Sequence, residues 1–386
     1  MLIVSTPKHY DLKLVKPPFD SELTDLIIDL NYLKKKKIEG STPEQIFLQL
    51  KDIFHILESI GSARIEGNHT TIAEYIEYKS NGTKEEDEGI REIQNMENAL
   101  DFVDQNIDNT EINRGFLSEL HKIVVKGLQR EGSKRPGKYR DTNLKIAQAQ
   151  HTPPDYMKVH DYMEEFFEFV NRKDPAKYDL IKTALAHHRF VWIHPFDNGN
   201  GRVVRLLTYA MLIKQGFNVQ SGDRIINPTA VFCADRGKYY HYLSIADQGD
   251  KESLLKWCGY VLKGVKTEIE KIDNLLDYKY VKKNILLPAL KFADDRDMLK
   301  PKEYKILRVA VNQGIFKNSD VKKAFNKDKK ASAISRHLRN LKNKDLIKTA
   351  KNAKRKYVLN FSSNYLMRGV IIALKDNNFL PENEVV

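Results

Sequence analysis

Apolar residues recur along this chain at helical spacing. Ile46, Leu50, Ile53, Leu57 and Ile60 step by four and three residues, which lays them on one stripe of a helix. Thr42, Pro43 and Gln45 mark its start, with a hydroxyl at the N-cap, proline at the first helical position and an amide three residues past the cap. Ala184, Leu185, Phe190, Val191, Trp192 and Ile193 form a largely apolar approach that predicts a buried helix. Val203, Val204, Leu206, Leu207, Ala210 and Met211 predict another, from about Gly199 to Gly216, with Lys214 in its last turn. The pattern predicts a mainly α fold.

Between the last two helices lies the most informative stretch, His194-Pro195-Phe196-Asp197-Asn198-Gly199-Asn200-Gly201-Arg202. Glycine tolerates positive φ and lets backbone approach a ligand closely. Successive N–H groups in such a turn form an anion-binding nest, and a helix N-terminus adds free N–H groups and partial positive charge. Arg202 and Arg205, three apart, share a helix face, and each guanidinium can fork onto phosphate oxygens. A histidine, a Pro-Phe anchor, a Gly-Asn-Gly turn and two phased arginines together describe a base beside a polyphosphate site. A lone core histidine above an ordinary turn would not need the arginines.

This stretch resembles the signature of Fic-domain proteins, most of which transfer AMP from ATP to a protein hydroxyl. The resemblance implies that His194 is the general base toward a Ser, Thr or Tyr of a target protein. It implies that Phe196 anchors the loop, that Gly199, Asn200, Gly201 and Arg202 hold phosphates, and that Arg205 reaches the γ-phosphate. The family's acidic residue, which helps hold Mg²⁺, is Asn198 here, and an amide oxygen is a weaker Mg²⁺ ligand than a carboxylate. ATP is therefore the implied substrate, with Mg²⁺ resting on a substituted position. Ser62 and Glu66, in Ser62-Ala63-Arg64-Ile65-Glu66-Gly67-Asn68, are similar to the family's inhibitory motif, whose glutamate competes with phosphate for the second arginine. Leu144, Lys145 and Ile146, after Pro136-Gly137-Lys138-Tyr139-Arg140, fall where the family has a β-hairpin flap to which targets add as a strand. Tyr239 and Tyr240 fall where it has a nucleotide-contacting helix, although as residues they read as packing. His187, His188 and His194 lack an acidic partner at zinc-like spacing, and His187 reads as a packing or hydrogen-bonding residue.

The C-terminal part differs in charge. The chain of 386 residues carries +12, whereas residues 301–360 hold 18 Lys+Arg against 4 Asp+Glu, so the remainder is slightly acidic. In that stretch Tyr304, Leu307 and Val311 mark one helix, Ser319-Asp320-Val321 starts a second, and Ser332 to Leu346 forms a third with Ile334, Leu338 and Leu341 inward. A strand pair flanks the basic turn Lys351 to Arg355. The order resembles a winged helix-turn-helix, with Ser335, Arg336, Arg339 and Lys342 exposed toward DNA or, equally, toward a protein or dimer partner.

These readings give a Fic-type helical domain with a small β-hairpin flap, followed by a winged helix-turn-helix. The expected divisions are an N-terminal helical region 1–110 with the inhibitory helix at about 43–68, a core at 111–280, a winged helix at 281–365 and a tail at 366–386. Two cysteines make no disulfide framework, Leu2-Ile3-Val4 is too short for a signal segment and no stretch approaches a membrane span. The expectation is a cytoplasmic protein adenylyltransferase held off by Glu66. The alternatives are a DNA-binding regulator with a weakly active or sensory Fic domain, and an AMP-removing enzyme.

Overall fold

The computed structural model describes residues 10–35, 41–81, 87–146, 151–216, 228–325, 331–351, 353, 355–362 and 365–380. The fold is mainly α. The helices are α1 (Glu22–Lys35), α2 (Glu44–Ile65), α3 (Ile72–Asn81), α4 (Glu88–Asn106), α5 (Arg114–Val124), α6 (Val159–Asn171), α7 (Asp179–Ile193), α8 (Asn200–Lys214), α9 (Pro228–Cys233), α10 (Arg236–Ala246) and α11 (Lys251–Leu276). They continue with α12 (Tyr278–Tyr280), a π-helical stretch Val281–Leu286, α13 (Leu287–Asp294) and α14 (Pro301–Gln313). Strand β1 (Ile315–Phe316), α15 (Asn318–Ala324), α16 (Ala331–Asn343), β2 (Ile347–Thr349), β3 (Tyr357–Leu359) and α17 (Leu366–Asp376) complete the order. The chain groups into two compact units interleaved in sequence, residues 1–37, 58–69 and 86–269 in the first, and 38–57, 70–85 and 270–386 in the second.

The first unit is built around α7 and α8. Both are apolar on nearly every side: Ala184, Leu185, Phe190 and Ile193 on α7, and Val203, Val204, Leu207 and Ala210 on α8, are buried. A helix apolar all round belongs in the middle of a core, and here α4, α5, α6 and α11 surround the pair with their own buried faces. Polar residues on these central helices find partners inside. His187 Nδ1 meets Thr208 Oγ1 at 2.8 Å, and Trp257 Nε1 donates to the Ala184 carbonyl at 2.6 Å.

In the second unit α14, β1, α15, α16, β2 and β3 follow one another. The sheet has the order β1-β3-β2, both pairs antiparallel, with Ile347 opposite Leu359 and Thr349 opposite Tyr357. Leu307, Val311, Ile334, Leu338 and Leu341 are buried, as their spacing predicts. Strand β1 is new. Two residues are too few to show a period in sequence.

Two local expectations fail. Thr42 does not cap α2, which begins at Glu44. Its hydroxyl donates to the Leu275 carbonyl at 2.8 Å, and Gln45 Oε1 accepts the Lys351 N–H at 2.9 Å, so the two polar groups of the supposed box serve distant backbone. The expected flap is not a ladder either. Residues 143–146 and 151–155 form no strand among the described residues, and the turn 147–150 lies outside them. Pro153 and Pro154 have no N–H to give a ladder, the Asn143 side chain bonds Asp155 and the Tyr156 N–H, and Arg140 takes the carbonyls of Thr142 and Pro154.

Candidate active site

Helix α7 ends at His194, which adopts the left-handed region (φ 51°, ψ 62°) while its N–H still closes the last turn on the Phe190 carbonyl at 2.9 Å. For a residue with a Cβ this conformation is costly, of order 1–3 kcal/mol. It turns the chain sharply, so the imidazole leaves the core and enters a cavity of about 500 Å³. Nδ1 lies 3.3 Å from the Val191 carbonyl. A carbonyl can only accept, so Nδ1 carries the proton and Nε2 is left as the basic nitrogen. Burial pushes His194 down to about 4. The Val191 hydrogen bond and Glu66 oppose that shift, while Arg140 and His151 add to it. At neutral pH it is an unprotonated base.

The turn after His194 is held by its own residues. Asn200 Oδ1 accepts the Phe196 N–H at 2.9 Å, and Asn200 Nδ2 donates to the Phe196 carbonyl at 2.9 Å. Asn200 therefore closes the loop with its side chain. Gly199 has φ 73°, and a Cβ there would sit 3.0 Å from Val125 Cγ1, so the position needs glycine twice over. The first intrahelical bond of α8 runs from the Val203 N–H to the Gly199 carbonyl at 3.0 Å. The N–H groups of Asn200, Gly201 and Arg202 consequently have no acceptor within the helix, the arrangement that binds anions.

The two arginines part company. Arg205 lines the cavity with Gly201 and Glu66. Its Nε donates to Ser62 Oγ at 2.8 Å, and its Nη2 donates to the Ser62 carbonyl at 2.9 Å and to Glu66 Oε1 at 2.7 Å. Both residues of the distant motif thus converge on one guanidinium. Burial works to raise the Glu66 pKa, but Arg205, Arg202 and His194 together hold it below the usual range, so the carboxylate stays ionised. Arg202 is turned away and fully buried. It pairs with Glu92 at 2.8 Å and donates to the Glu131 carbonyl at 2.8 Å. Glu92 in turn accepts from Asn68 Nδ2 at 2.8 Å.

Both tyrosines line the cavity: Tyr239 is buried and its hydroxyl meets His187 Nε2 at 2.9 Å, whereas Tyr240 is 44% exposed with the Arg236 guanidinium 5.4 Å from its ring. Leu144, Lys145 and Ile146 are described, and Ile146 reaches the cavity.

At the position expected to hold Mg²⁺, the side chain is engaged with backbone. Asn198 Oδ1 accepts the Gly199 N–H at 2.7 Å, and its amide nitrogen faces the Arg130 carbonyl. Neighbouring Asp197 accepts from Ser133 Oγ, the Lys134 N–H and the Asn198 N–H. Among the described residues no group of three or more His, Cys, Asp or Glu is placed to hold a metal ion.

Three further residues shape the site, and the sequence alone assigns them no role in it. His121 stacks on Phe196 with ring centroids 3.9 Å apart. Its Nδ1 accepts the Gly137 N–H at 2.8 Å, so Nε2 carries the proton and donates to the Asn198 carbonyl at 3.1 Å. His151 lines the cavity and meets the Trp192 carbonyl at 2.8 Å. Arg140, the last residue of the Pro-Gly-Lys-Tyr-Arg stretch, donates to the His194 carbonyl from Nε at 2.9 Å. A histidine in an amphipathic helix and an arginine in a loop carry no local signal for such roles.

Residues 111–212 match the model of the Fic/DOC family. The protein adenylyltransferase Fic of Nematostella vectensis is 29% identical over 177 residues, 43% of this chain and 36% of that protein. That of Drosophila grimshawi is 30% identical over 202 residues, 51% of this chain and 38% of that protein. The chain thus spans less than two fifths of the length of these curated relatives. Among solved structures, a Fic family protein from Desulfovibrio desulfuricans G20 aligns with a TM-score of 0.54 at 17% identity, covering 91% of this chain and 98% of that one. The helical core that carries the cavity is therefore similar to Fic proteins, in sequence over residues 111–212 and in fold over most of the chain.

Proposed function

We propose that this chain is a protein adenylyltransferase that Glu66 holds in an autoinhibited state. One observation carries the reading: a single cavity brings together the basic nitrogen of His194, the open N–H groups at the start of α8, and Arg205 already occupied by Glu66. In the reaction, the hydroxyl oxygen of a Ser, Thr or Tyr on a target protein attacks the α-phosphorus of ATP. His194 Nε2 takes the hydroxyl proton, the bond from the α-phosphorus to the bridging oxygen breaks, and pyrophosphate leaves with that electron pair. The first turn of α8 stabilises charge on the phosphates. No step is routed through a metal, because the Asn198 and Asp197 side chains are engaged elsewhere. Incubation with ATP labelled on the α-phosphate tests the reading. Label should enter protein, increase with Glu66→Gly and vanish with His194→Ala. Label that persists in His194→Ala sinks it, and release of AMP from a labelled protein, without forward labelling, would favour the removal reaction instead.

A second role, duplex DNA binding, is supported by α16, which contains no acidic residue and exposes Ser335, Arg336, Arg339 and Lys342 beside the β1-β3-β2 sheet. Fluorescence-anisotropy titration of the full chain with duplex DNA at several salt concentrations tests it. Salt-dependent binding that weakens in Arg336→Ala/Arg339→Ala is expected, and no binding at low salt refutes it.

A further inference from the structure

We propose that Arg140 is the positioning residue of His194, and that it acts by holding the histidine's backbone. The inference rests on the reading of His194 as the base and adds the group that sets its direction.

Arg140 is buried, at 4% exposure, yet no carboxylate pairs with it among the described residues. Its donors go to backbone carbonyls instead. Nε donates to His194 O at 2.9 Å, Nη1 to Thr142 O at 3.0 Å, and Nη2 to Pro154 O and, at 3.5 Å, to Ile193 O. The Arg140 N–H also donates to Pro195 O at 2.8 Å. Three consecutive carbonyls, of residues 193, 194 and 195, are therefore fixed by one residue. They are the peptide groups through which α7 breaks into the left-handed turn at His194.

This placement matters because of what the conformation costs. A histidine at φ 51° relaxes toward the ordinary helical region unless its flanking peptides are held. The Phe190 carbonyl holds the N–H side, and Arg140 holds the carbonyl side. With both peptides set, the Cα–Cβ bond has one direction, and the Val191 carbonyl then fixes the ring through Nδ1. Only a planar fork with several donors can serve carbonyls from two chain segments at once. Lysine offers a point charge that reaches fewer of them.

The same guanidinium lies close enough to bear on the imidazole electrostatically. Glu66, Arg205, Arg236, His241, Asp247 and His151 line the cavity with His194; Glu66 favours its charged form, while Arg140 and His151 disfavour it. Removing the Arg140 cation therefore moves the acid limb of the pH–rate profile upward. A residue that merely fills space would leave that limb in place.

The test uses the full chain in a Glu66→Gly background, with Arg140→Gln, Arg140→Lys and, as a reference, His194→Ala. ATP affinity is measured by calorimetry, and labelling from α-labelled ATP is followed from pH 3 to 8, a range that brackets the His194 limb. Arg140→Gln should keep ATP affinity within about twofold, lose at least about tenfold in rate at pH 7, and shift its acid limb to higher pH. Arg140→Lys should lose rate with the limb unmoved. Rates equal to the parent, or a loss of ATP affinity that matches the loss of rate, overturn the proposal. If Arg140→Gln does not fold, by its thermal melt, Arg140→Lys carries the same comparison of rate against affinity. His194→Ala that labels at the parent's rate refutes the role of His194 instead, whatever the Arg140 variants do.

Discussion

Under the proposed reading, replacing Glu66 should tighten the binding of ATP. Arg205 is buried, with a side-chain exposure of 1%, and Glu66 keeps 25%. A nucleotide whose terminal phosphate takes Arg205 must first break the 2.7 Å bond to Glu66 and place its own negative charge beside that carboxylate. A hydrogen bond between charged groups is worth about 1.5–3 kcal/mol net. At 1.4 kcal/mol per decade, Glu66→Gly should tighten ATP by roughly 10- to 150-fold. Glu66→Gln keeps the shape and leaves a neutral bond of about 0.5–1.5 kcal/mol, so its effect should lie between. The substitution also strips Arg205 of its counter-charge. Removing one partner costs about 3–5 kcal/mol for a fully buried pair and about 0–1 for an exposed one, and this pair sits between, so ATP-free Glu66→Gly should melt below the parent. Saturating ATP should restore more stability to the variant than to the parent. Calorimetric titration with ATP and AMP reads both parts. AMP lacks the outer phosphates, so its affinity should change little. Equal tightening of ATP and AMP would mean that Glu66 blocks volume and does not compete for Arg205, and no change in ATP affinity would remove the autoinhibitory reading altogether.

Ser62→Ala removes the Oγ acceptor of Arg205 Nε and should cost about 1 kcal/mol in stability with a smaller gain in ATP affinity than Glu66→Gly, as melting and titration would reveal. Gly199→Ala forces a side chain to φ 73° against Val125, and should destabilise by about 1–2 kcal/mol or more in urea titration; an unchanged midpoint would contradict the geometry. Asn200→Ala leaves the buried Phe196 N–H without its partner, which should cost about 1–3 kcal/mol and slow labelling. His121 and His194 both sit at about 4 in the fold against 6.5 when free. Between those values the unfolded chain binds more protons, so stability should fall as pH drops from about 6.5 toward 4. Urea midpoints at pH 7 and pH 5 check this, and His121→Asn should flatten the difference.

What the sequence discloses and what it withholds divide along the range of the interactions. The apolar spacing of α7 and α8, Pro195 after His194 and the Gly-Asn-Gly turn are local signals, so the two helices, the break at His194 and the glycine at position 199 could be read from pattern, although Arg140 and Val125 complete the turn from far along the chain. The cap at Thr42 could not, because its hydroxyl is claimed by a carbonyl 233 residues away. The flap stretch differs for a related reason, since its described residues 143–146 and 151–155 form no strand. Arg140 takes the carbonyls of Thr142 and Pro154 at either end of it, and nothing in Leu144-Lys145-Ile146 announces that. Arg202 and Arg205 make the point most sharply. Spacing gives them equal standing on one face, yet their fates are opposite. Carboxylates decide between them: Glu92 and Glu131 draw Arg202 into the protein, and Glu66 meets Arg205 at the cavity wall. Both guanidiniums are buried, and of the pair it is Arg205 that lines the cavity. The proposed control of the site rests on whatever holds that group, and Ser62 and Glu66, one on α2 and one just past its end, both do.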